Sequence, residues 1–162
     1  MKIRFVDAPI FIKWMAAKKK KLSLEAAVSG YILTKIMKGE KAITTTLVKD
    51  EVLIWLSRYK ASALPKFIQS LKALVYLEIV SPTLSDQEEA CSNYGKYPLG
   101  ISDLINLAVM RRKNINKIYT TDKGYSSAGI NIIFHELSKE PNFKTFTKNL
   151  KNKGFKPSYS YS

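Results

Sequence analysis

Short apolar runs rich in β-branched and aromatic residues alternate along the chain with longer segments that have helical spacing. The short runs are typical of buried strands. They lie at 2–6, 74–80, 117–121 and 130–134. The longer segments predict helices at 23–39, 44–60, 65–71, 86–94 and 100–112. Strands separated by helices pair in parallel through right-handed crossovers, so the pattern predicts an α/β fold, a three-layer α/β/α sandwich with a central parallel sheet.

Residues that favour helix ends support these assignments. Pro9 suits the first turn of a helix that directly follows the first strand. Ser23 precedes a second helix as a cap. Ser85 and Glu88 have the spacing of a capping box. Ser102 is the predicted cap of the helix at 100–112.

The chain of 162 residues is long enough for a single domain with one sizeable core. We assign residues 1–140 to this domain. Residues 141–162 are polar and rich in lysine, and they end in PSYSYS. We expect this basic C-terminal extension to be partly disordered, because it offers few apolar side chains to bury.

The balance of charge is strongly positive. Twenty-seven Lys and Arg residues against thirteen Asp and Glu residues give a net charge of +14. Such a chain presents a positive field to polyanions, and nucleic acid is the leading partner. A basic face that serves only solubility is the alternative, but solubilising surfaces usually mix both signs.

Two basic clusters are candidates for contacts with RNA phosphates. The first lies in the connection after the first helix and consists of Lys18, Lys19, Lys20 and Lys21. The second, Arg111 and Arg112, ends the helix at 100–112. Cations at a helix C-terminus are favourable in any case, so a purely structural role remains open for the two arginines.

Other features indicate a protein of the reducing cytoplasm. Cys91 is the only cysteine, which excludes a disulfide within the chain and a zinc site built from cysteines. Asp7 and Lys13 interrupt the apolar N-terminal run, which therefore does not resemble a signal peptide. No segment approaches the roughly 18 uninterrupted apolar residues of a membrane span.

Four acids are placed where they can converge. Asp7 ends the first strand and Asp122 directly follows the strand at 117–121, so both emerge at the same edge of a parallel sheet. Asp103 opens an almost wholly apolar helix. Glu51 lies at the margin of an apolar helix face. Taken singly, the aspartates could serve turns or helix ends, and Glu51 could pair with Arg58.

Their mutual repulsion indicates what would hold four such acids together. Two carboxylates about 4 Å apart repel by roughly 4 kcal/mol at an effective dielectric constant near 20. Arg or Lys could neutralise them, but ligands that are all oxygen suit a hard divalent ion, Mg²⁺ or Mn²⁺. Such an ion lowers the pKa of water and stabilises charge on a phosphate.

The segments around the acids resemble the four acidic motifs of the PIN-domain nucleases. They are VDAPIFI with Asp7, TTTLVKDEVLIWL with Glu51, LGISDLINLAV with Asp103 and IYTTDKGY with Asp122. Order and spacing fit that family over roughly residues 2–135. The third and fourth motifs are the most specific, because Asp122 follows Asp103 by nineteen residues.

This resemblance implies a Rossmann-like fold, a Mg²⁺ or Mn²⁺ site and hydrolysis of single-stranded RNA without a covalent intermediate. The four acids would be the catalytic and metal-binding residues, with the Thr120 hydroxyl supporting them. Members of the VapC toxin branch are similar in size, often homodimeric, and inhibited by a small antitoxin. The resemblance thus predicts a cytoplasmic endoribonuclease, the toxin of a toxin-antitoxin pair.

Pro9 is a departure from the family pattern. The family commonly has Ser, Asn or Thr two residues after the first Asp, whereas proline supplies neither a hydroxyl nor a backbone donor. An alternative is therefore a catalytically weakened RNA-binding or assembly protein with this fold. A nuclease that processes ribosomal RNA, or acts on DNA, would share the site and differ in substrate.

Overall fold

A computed structural model describes residues 2–160 and contains one sheet of five parallel strands. The strands are β1 (Arg4–Val6), β2 (Ala42–Thr45), β3 (Leu77–Val80), β4 (Lys117–Tyr119) and β5 (Asn131–Ile133). Their order across the sheet is β3-β2-β1-β4-β5. The helices are α1 (Ala8–Met15), α2 (Leu24–Met37), α3 (Thr46–Tyr59), α4 (Leu64–Ala73), α5 (Leu84–Asn93), α6 (Ile101–Arg112) and α7 (Pro141–Asn152). Three short 3₁₀ helices span 61–63, 123–128 and 135–139.

The helices form two layers around the sheet. Helix α1 contacts α2 and α3, α2 contacts α7, and α3 contacts α4, whereas α5 packs against α6. Right-handed crossovers from β1 to β2 to β3 keep the first group on one face, and the return to β4 puts α5 and α6 on the other. The predicted α/β/α sandwich with a parallel sheet is confirmed.

The centre of the sheet is also the centre of the core. Phe5 and Val6 of β1, Ile43 of β2, and Ile118 and Tyr119 of β4 are almost completely buried. Strands covered on both faces carry apolar side chains on both, as Phe5 and Val6 of β1 do. The core therefore fixes the carboxyl ends of β1 and β4, where Asp7 and Thr120 follow.

One strand was missed by the sequence analysis. Residues 42–45 form β2, and the helix predicted at 44–60 begins only at Thr46. The strand is fully buried, and β-branched residues favour such a position. Thr45 is the N-cap of α3, because its hydroxyl accepts a 3.1 Å hydrogen bond from the Val48 N–H.

Two predicted helix caps are also wrong. Helix α6 has Gly100, not Ser102, at its N-cap. The capping box of α5 pairs Thr83 with Asp86, because their side chains and backbone N–H groups bond reciprocally at 2.8 and 3.2 Å. The sequence offers both boxes at the same spacing, and burial of Asp86 selects the one that forms. Ser23 is the N-cap of α2, and Pro9 lies in the first turn of α1, both as predicted.

The C-terminal extension, which is expected to be partly disordered, forms helix α7 over Pro141–Asn152. Helix α7 buries Phe143, Thr147 and Leu150, which share one face of the helix. The ring of Phe143 meets that of Tyr31 in α2 edge to face, with centroids 5.4 Å apart. Beyond the helix, the chain pairs with Leu22 through Pro157. Residues 161 and 162, to which the same expectation applied, lie outside the described residues.

Within residues 2–160, no helix is both long enough and apolar enough to cross a membrane.

Candidate active site

Asp7 lies at the end of the central strand and begins helix α1. Its backbone N–H donates to the carbonyl of Tyr119 at 3.1 Å, which joins it to the end of β4. Oδ1 accepts a 2.9 Å hydrogen bond from the Ala8 N–H, and Oδ2 accepts a 2.7 Å hydrogen bond from the Thr120 hydroxyl. With 3% of its surface exposed, Asp7 is a buried carboxylate whose orientation is fixed from both strands.

Asp122 is held in a tight turn after β4. Its N–H donates to the Thr120 hydroxyl at 3.1 Å, and its Oδ1 accepts from the Gly124 N–H at 2.9 Å. A Cβ atom at Gly124 would lie 2.5 Å from the Pro98 carbonyl oxygen and 3.2 Å from Oδ1 of Asp122. Glycine is therefore required for this close approach.

The other two acids come from helices on opposite layers. Asp103 lies in the first turn of α6, and its Oδ1 accepts a 3.2 Å hydrogen bond from the Tyr125 hydroxyl. Glu51 lies in the second turn of α3. Its Oε1 is buried and has no hydrogen-bond partner among the described residues. An unpaired buried carboxylate oxygen is costly unless a cation or a proton reaches it.

The pKa values show that the acids share one electrostatic environment. Burial, with smaller contributions from the charges of Asp103 and Glu51, raises the pKa of Asp7 to about 7 against the opposing effect of the Thr120 and Ala8 hydrogen bonds. Burial, followed by the charges of Asp122 and Glu51, raises the pKa of Asp103 to about 6. Burial also raises the pKa of Glu51, with Ser102 opposing. The structure thus brings all four predicted acids together.

The four acids do not form a preformed metal cage. Across residues 2–160, no three His, Cys, Asp or Glu side chains are arranged closely enough to enclose an ion. The acids are instead a cluster that is coupled through charge. Ligation of one ion by several of them would require side-chain adjustment or water molecules between ion and carboxylate.

The basic residues that the sequence predicts to contact RNA lie outside the acid cluster. Their contacts with the rest of the protein differ. Lys18–Lys21 form the exposed connection between α1 and α2, as expected. Arg112 makes two hydrogen bonds, of 3.0 and 2.9 Å, to the buried carboxylate of Asp86. Arg111 lies over the ring of Tyr97 and donates to its hydroxyl at 3.3 Å. Arg112 therefore has a structural partner, which the sequence did not indicate.

Three site residues were missed by the sequence analysis. Tyr125 is fully buried, donates to Asp103 and faces Asp7 and Asp122. Ser102 lies beside Glu51. Asn106 lies one turn after Asp103, accepts a 2.6 Å hydrogen bond from the Thr45 hydroxyl and leaves its Nδ2 buried without a partner. The one signal in the sequence was that Asn106 is a polar residue within an otherwise apolar helix. A polar group buried there needs a hydrogen-bond partner.

Comparisons with known proteins agree with the fold. The sequence pattern that defines the PIN domain matches residues 4–131. The crystal structure of VapC20 from Mycobacterium tuberculosis, described as a toxin that cleaves the sarcin-ricin loop, has a TM-score of 0.65 and 20% identity. The match covers 80% of this chain and 96% of VapC20.

Two further structures are similar at lower identity. A toxin-antitoxin complex from Klebsiella pneumoniae has a TM-score of 0.56 and 17% identity, over 80% of this chain and 95% of that chain. The FitAcB structure from Neisseria gonorrhoeae has a TM-score of 0.57 and 11% identity, over 81% and 96%. Among curated proteins the sequence has no match.

Proposed function

Because this chain belongs to the PIN domain family, whose members are nucleases, we propose that it is a metal-dependent endoribonuclease. Its substrate is single-stranded RNA in the cytoplasm, and it acts as the toxin of a toxin-antitoxin pair. The observation that carries the proposal is the convergence of Asp7, Glu51, Asp103 and Asp122. Burial, together with the charges of neighbouring acids in this cluster, raises the pKa values of Asp7 and Asp103. Clustered acids of this kind are typical of functional sites.

The donor set fits a hard divalent cation. All four side chains offer carboxylate oxygens, and Oε1 of Glu51 is buried and unpaired. Burial and the charges of neighbouring acids raise the pKa values of Asp7 and Asp103, and a bound cation would favour their charged forms. Asp7, Glu51, Asp103 and Asp122 would hold Mg²⁺ or Mn²⁺. Such an ion supplies a Lewis acid that stabilises charge on phosphate oxygens and lowers the pKa of water.

The neighbouring hydroxyls orient the acids. Thr120 donates to Oδ2 of Asp7 and accepts from the Asp122 N–H, so one side chain aligns two carboxylates. Tyr125 donates to Oδ1 of Asp103 and so orients this carboxylate. The hydrogen bonds that Thr120 and Tyr125 donate favour the charged forms of Asp7 and Asp103 over the protonated acids. These residues therefore keep the cluster ready to bind a cation near neutral pH.

Cleavage of a labelled single-stranded RNA by purified protein tests the proposal. With Mn²⁺ or Mg²⁺ the wild type yields products, chelation by EDTA abolishes them, and Asp103→Asn reduces the rate at least a hundredfold. Asp50→Asn is the matched control, because Asp50 is exposed on α3 and forms a surface ion pair with Lys49. Equal rates for wild type and Asp103→Asn would refute the assignment of chemistry to this cluster.

We further propose a small antitoxin and a second copy of this chain as partners. The similar structure from Klebsiella pneumoniae is itself described as a toxin-antitoxin complex. Co-purification of the product of an adjacent short reading frame, with loss of RNA cleavage in the complex, is the expected result for the antitoxin. Light scattering at known concentration measures whether the chain is a dimer.

A catalytically weakened RNA-binding protein is the second candidate, and Pro9 favours it. Pro9 lies in the first turn of α1 and has no N–H to donate to Asp7. The backbone donor at Oδ1 of Asp7 is the N–H of Ala8. This candidate predicts tight, salt-sensitive RNA binding without cleavage that depends on a metal.

A sarcin-ricin hairpin belongs among the RNAs tested for cleavage, because the similar toxin VapC20 is described as cleaving that loop.

A further inference from the structure

A basic cleft of about 430 Å³ lies away from the acids, where the last turns of α1 and α3 meet the start of α4 and the C-terminal tail. Three lysines, Lys19, Lys60 and Lys66, line it together with the rings of Trp14 and Phe155. No acidic side chain belongs to its lining. The cleft therefore combines uncompensated positive charge with an apolar wall.

A stack of side chains builds this wall. A Cβ atom at Gly30 would lie 2.5 Å from the Trp14 ring, so glycine lets the ring rest on α2. Phe155 stacks on Trp14 with the ring centroids 5.9 Å apart and the planes at 18°. The Lys19 ammonium lies 5.5 Å from the Phe155 centroid. The stack thus holds one cation at the rim of the cleft.

The backbone fixes the same arrangement. The Lys156 N–H donates to the Lys19 carbonyl at 2.7 Å, which joins the tail to the connection between α1 and α2. The Lys60 ammonium donates to the Met15 carbonyl at 2.7 Å and is held at the end of α1. Lys66 is exposed on α4 and forms no salt bridge among the described residues. The cleft is a shaped basic surface and not a set of unrelated lysines.

Its position relative to the acids is set by the helices. Asp7 begins α1 and Met15 ends it, a separation of about 12 Å at 1.5 Å per residue. Glu51 and Lys60 are nine residues apart on α3 and its cap, about 14 Å by the same rule. Phe155 lies outside the 4–131 match, so the tail supplies part of this cleft beyond the PIN domain itself.

We propose that this cleft binds the sugar-phosphate backbone of the single-stranded RNA whose bond is cleaved at the acid cluster. The inference rests on the proposed function. The phosphates pair with Lys19, Lys60 and Lys66, and a ribose or base lies against the apolar wall. Lysine ammonium groups suit phosphate as point charges, and release of counterions drives such contacts. The cleft thereby anchors the strand about two helical turns from the scissile phosphate.

The salt dependence of RNA binding tests the cleft directly. Binding is measured in EDTA by fluorescence anisotropy with a labelled 20-nucleotide RNA, so cleavage is not required. Lys19→Ala/Lys66→Ala lowers the slope of log K against log salt by roughly 1.4, since each single-strand phosphate contact contributes about 0.7. Lys41→Ala/Lys72→Ala is the matched control, because it removes the same charge from exposed positions outside this cleft. Thermal melting confirms that both variants are folded.

Equal slopes for the two double variants would overturn the cleft proposal, as would the absence of RNA binding by the wild type. The proposed nuclease function is judged separately by cleavage with Mn²⁺. If the wild type cleaves RNA but the two double variants have equal salt slopes, only the cleft proposal is refuted. If Lys19→Ala/Lys66→Ala lowers the slope but the wild type does not cleave RNA, only the nuclease proposal is refuted.

Photochemical crosslinking gives a second readout. RNA that carries 4-thiouridine is expected to crosslink to peptides containing Trp14 or Phe155. Crosslinks confined to peptides of the acid cluster would contradict the proposal.

Discussion

The Thr120 hydroxyl donates a 2.7 Å hydrogen bond to Oδ2 of Asp7, a residue 113 positions earlier in the chain. Both side chains are buried, and the same hydroxyl accepts the N–H of Asp122 at 3.1 Å. One hydroxyl at the end of β4 thus connects the first and the last of the four acids. Removal of this hydroxyl should disturb both Asp7 and Asp122.

Thr120→Val keeps the shape of the side chain but removes this hydroxyl. We expect the free energy of unfolding at pH 8 to fall by about 1–3 kcal/mol, because a buried carboxylate loses its donor. RNA cleavage should shift to higher pH, since the pKa of Asp7 rises. Urea unfolding and a pH-rate profile measure the two effects. Thr120→Ser should restore both, and a profile unchanged in the valine variant would contradict the role of the hydroxyl.

The metal-free protein should lose stability as pH rises. Asp7 has a pKa of about 7 in the folded protein, against an ordinary value of 3.8. Between these values the folded chain keeps a proton that the unfolded chain has released, so the free energy of unfolding falls with pH. The contribution of Asp7 alone is about 4 kcal/mol. Calorimetry in EDTA from pH 4 to 8 should show the fall, and Asp7→Asn should flatten it. If the stability of Asp7→Asn depends on pH as strongly as that of the wild type, Asp7 is not the cause of the fall.

Divalent cations should stabilise the protein at pH 8, where the four acids repel one another. Binding to the folded state alone at a hundred times the Kd adds about 2.7 kcal/mol. Thermal melting with and without Mn²⁺ measures this gain. Asp103→Asn should reduce it, whereas Asp50→Asn should retain it in full. A stabilisation of equal size in both variants would place the ion elsewhere.

Tyr125→Phe removes the donor to Asp103 and keeps the buried ring. The pKa of Asp103, about 6 in the wild type, should rise, because this hydrogen bond lowers it. We expect cleavage near neutral pH to fall roughly tenfold, in line with about one lost hydrogen bond to a charged group. Tyr94→Phe is the control, because Tyr94 is exposed. Identical pH-rate profiles for both variants would exclude a positioning role.

Arg112→Leu should destabilise the fold, because it leaves the buried carboxylate of Asp86 without its cation. Arg112 lowers the pKa of Asp86, so the loss should be seen at neutral pH and should shrink as pH falls and Asp86 becomes protonated. Urea midpoints at pH 7 and pH 3 measure this. Arg111→Leu should leave the midpoint near the wild-type value.

The sequence alone determined the architecture and the identity of the acids. Apolar runs separated by helical segments predicted a parallel sheet, and the placement of Asp7 after β1 and Asp122 after β4 predicted one shared edge. Such inferences succeed because strand and helix periodicities are local properties of the chain. They failed for β2, where three threonines fit a strand end and a helix start equally well.

The tertiary structure alone decided which side chains meet. The partners of Arg112 and Tyr125 lie 26 and 22 residues away. The contact of Phe155 with Trp14 depends on where the tail crosses α1 and α2. Composition predicted a loose tail, but its aromatic side chains pack because the surface formed by α1 and α2 offers apolar area to bury. Distances between remote residues follow from helix rotation and packing, and no local pattern encodes them.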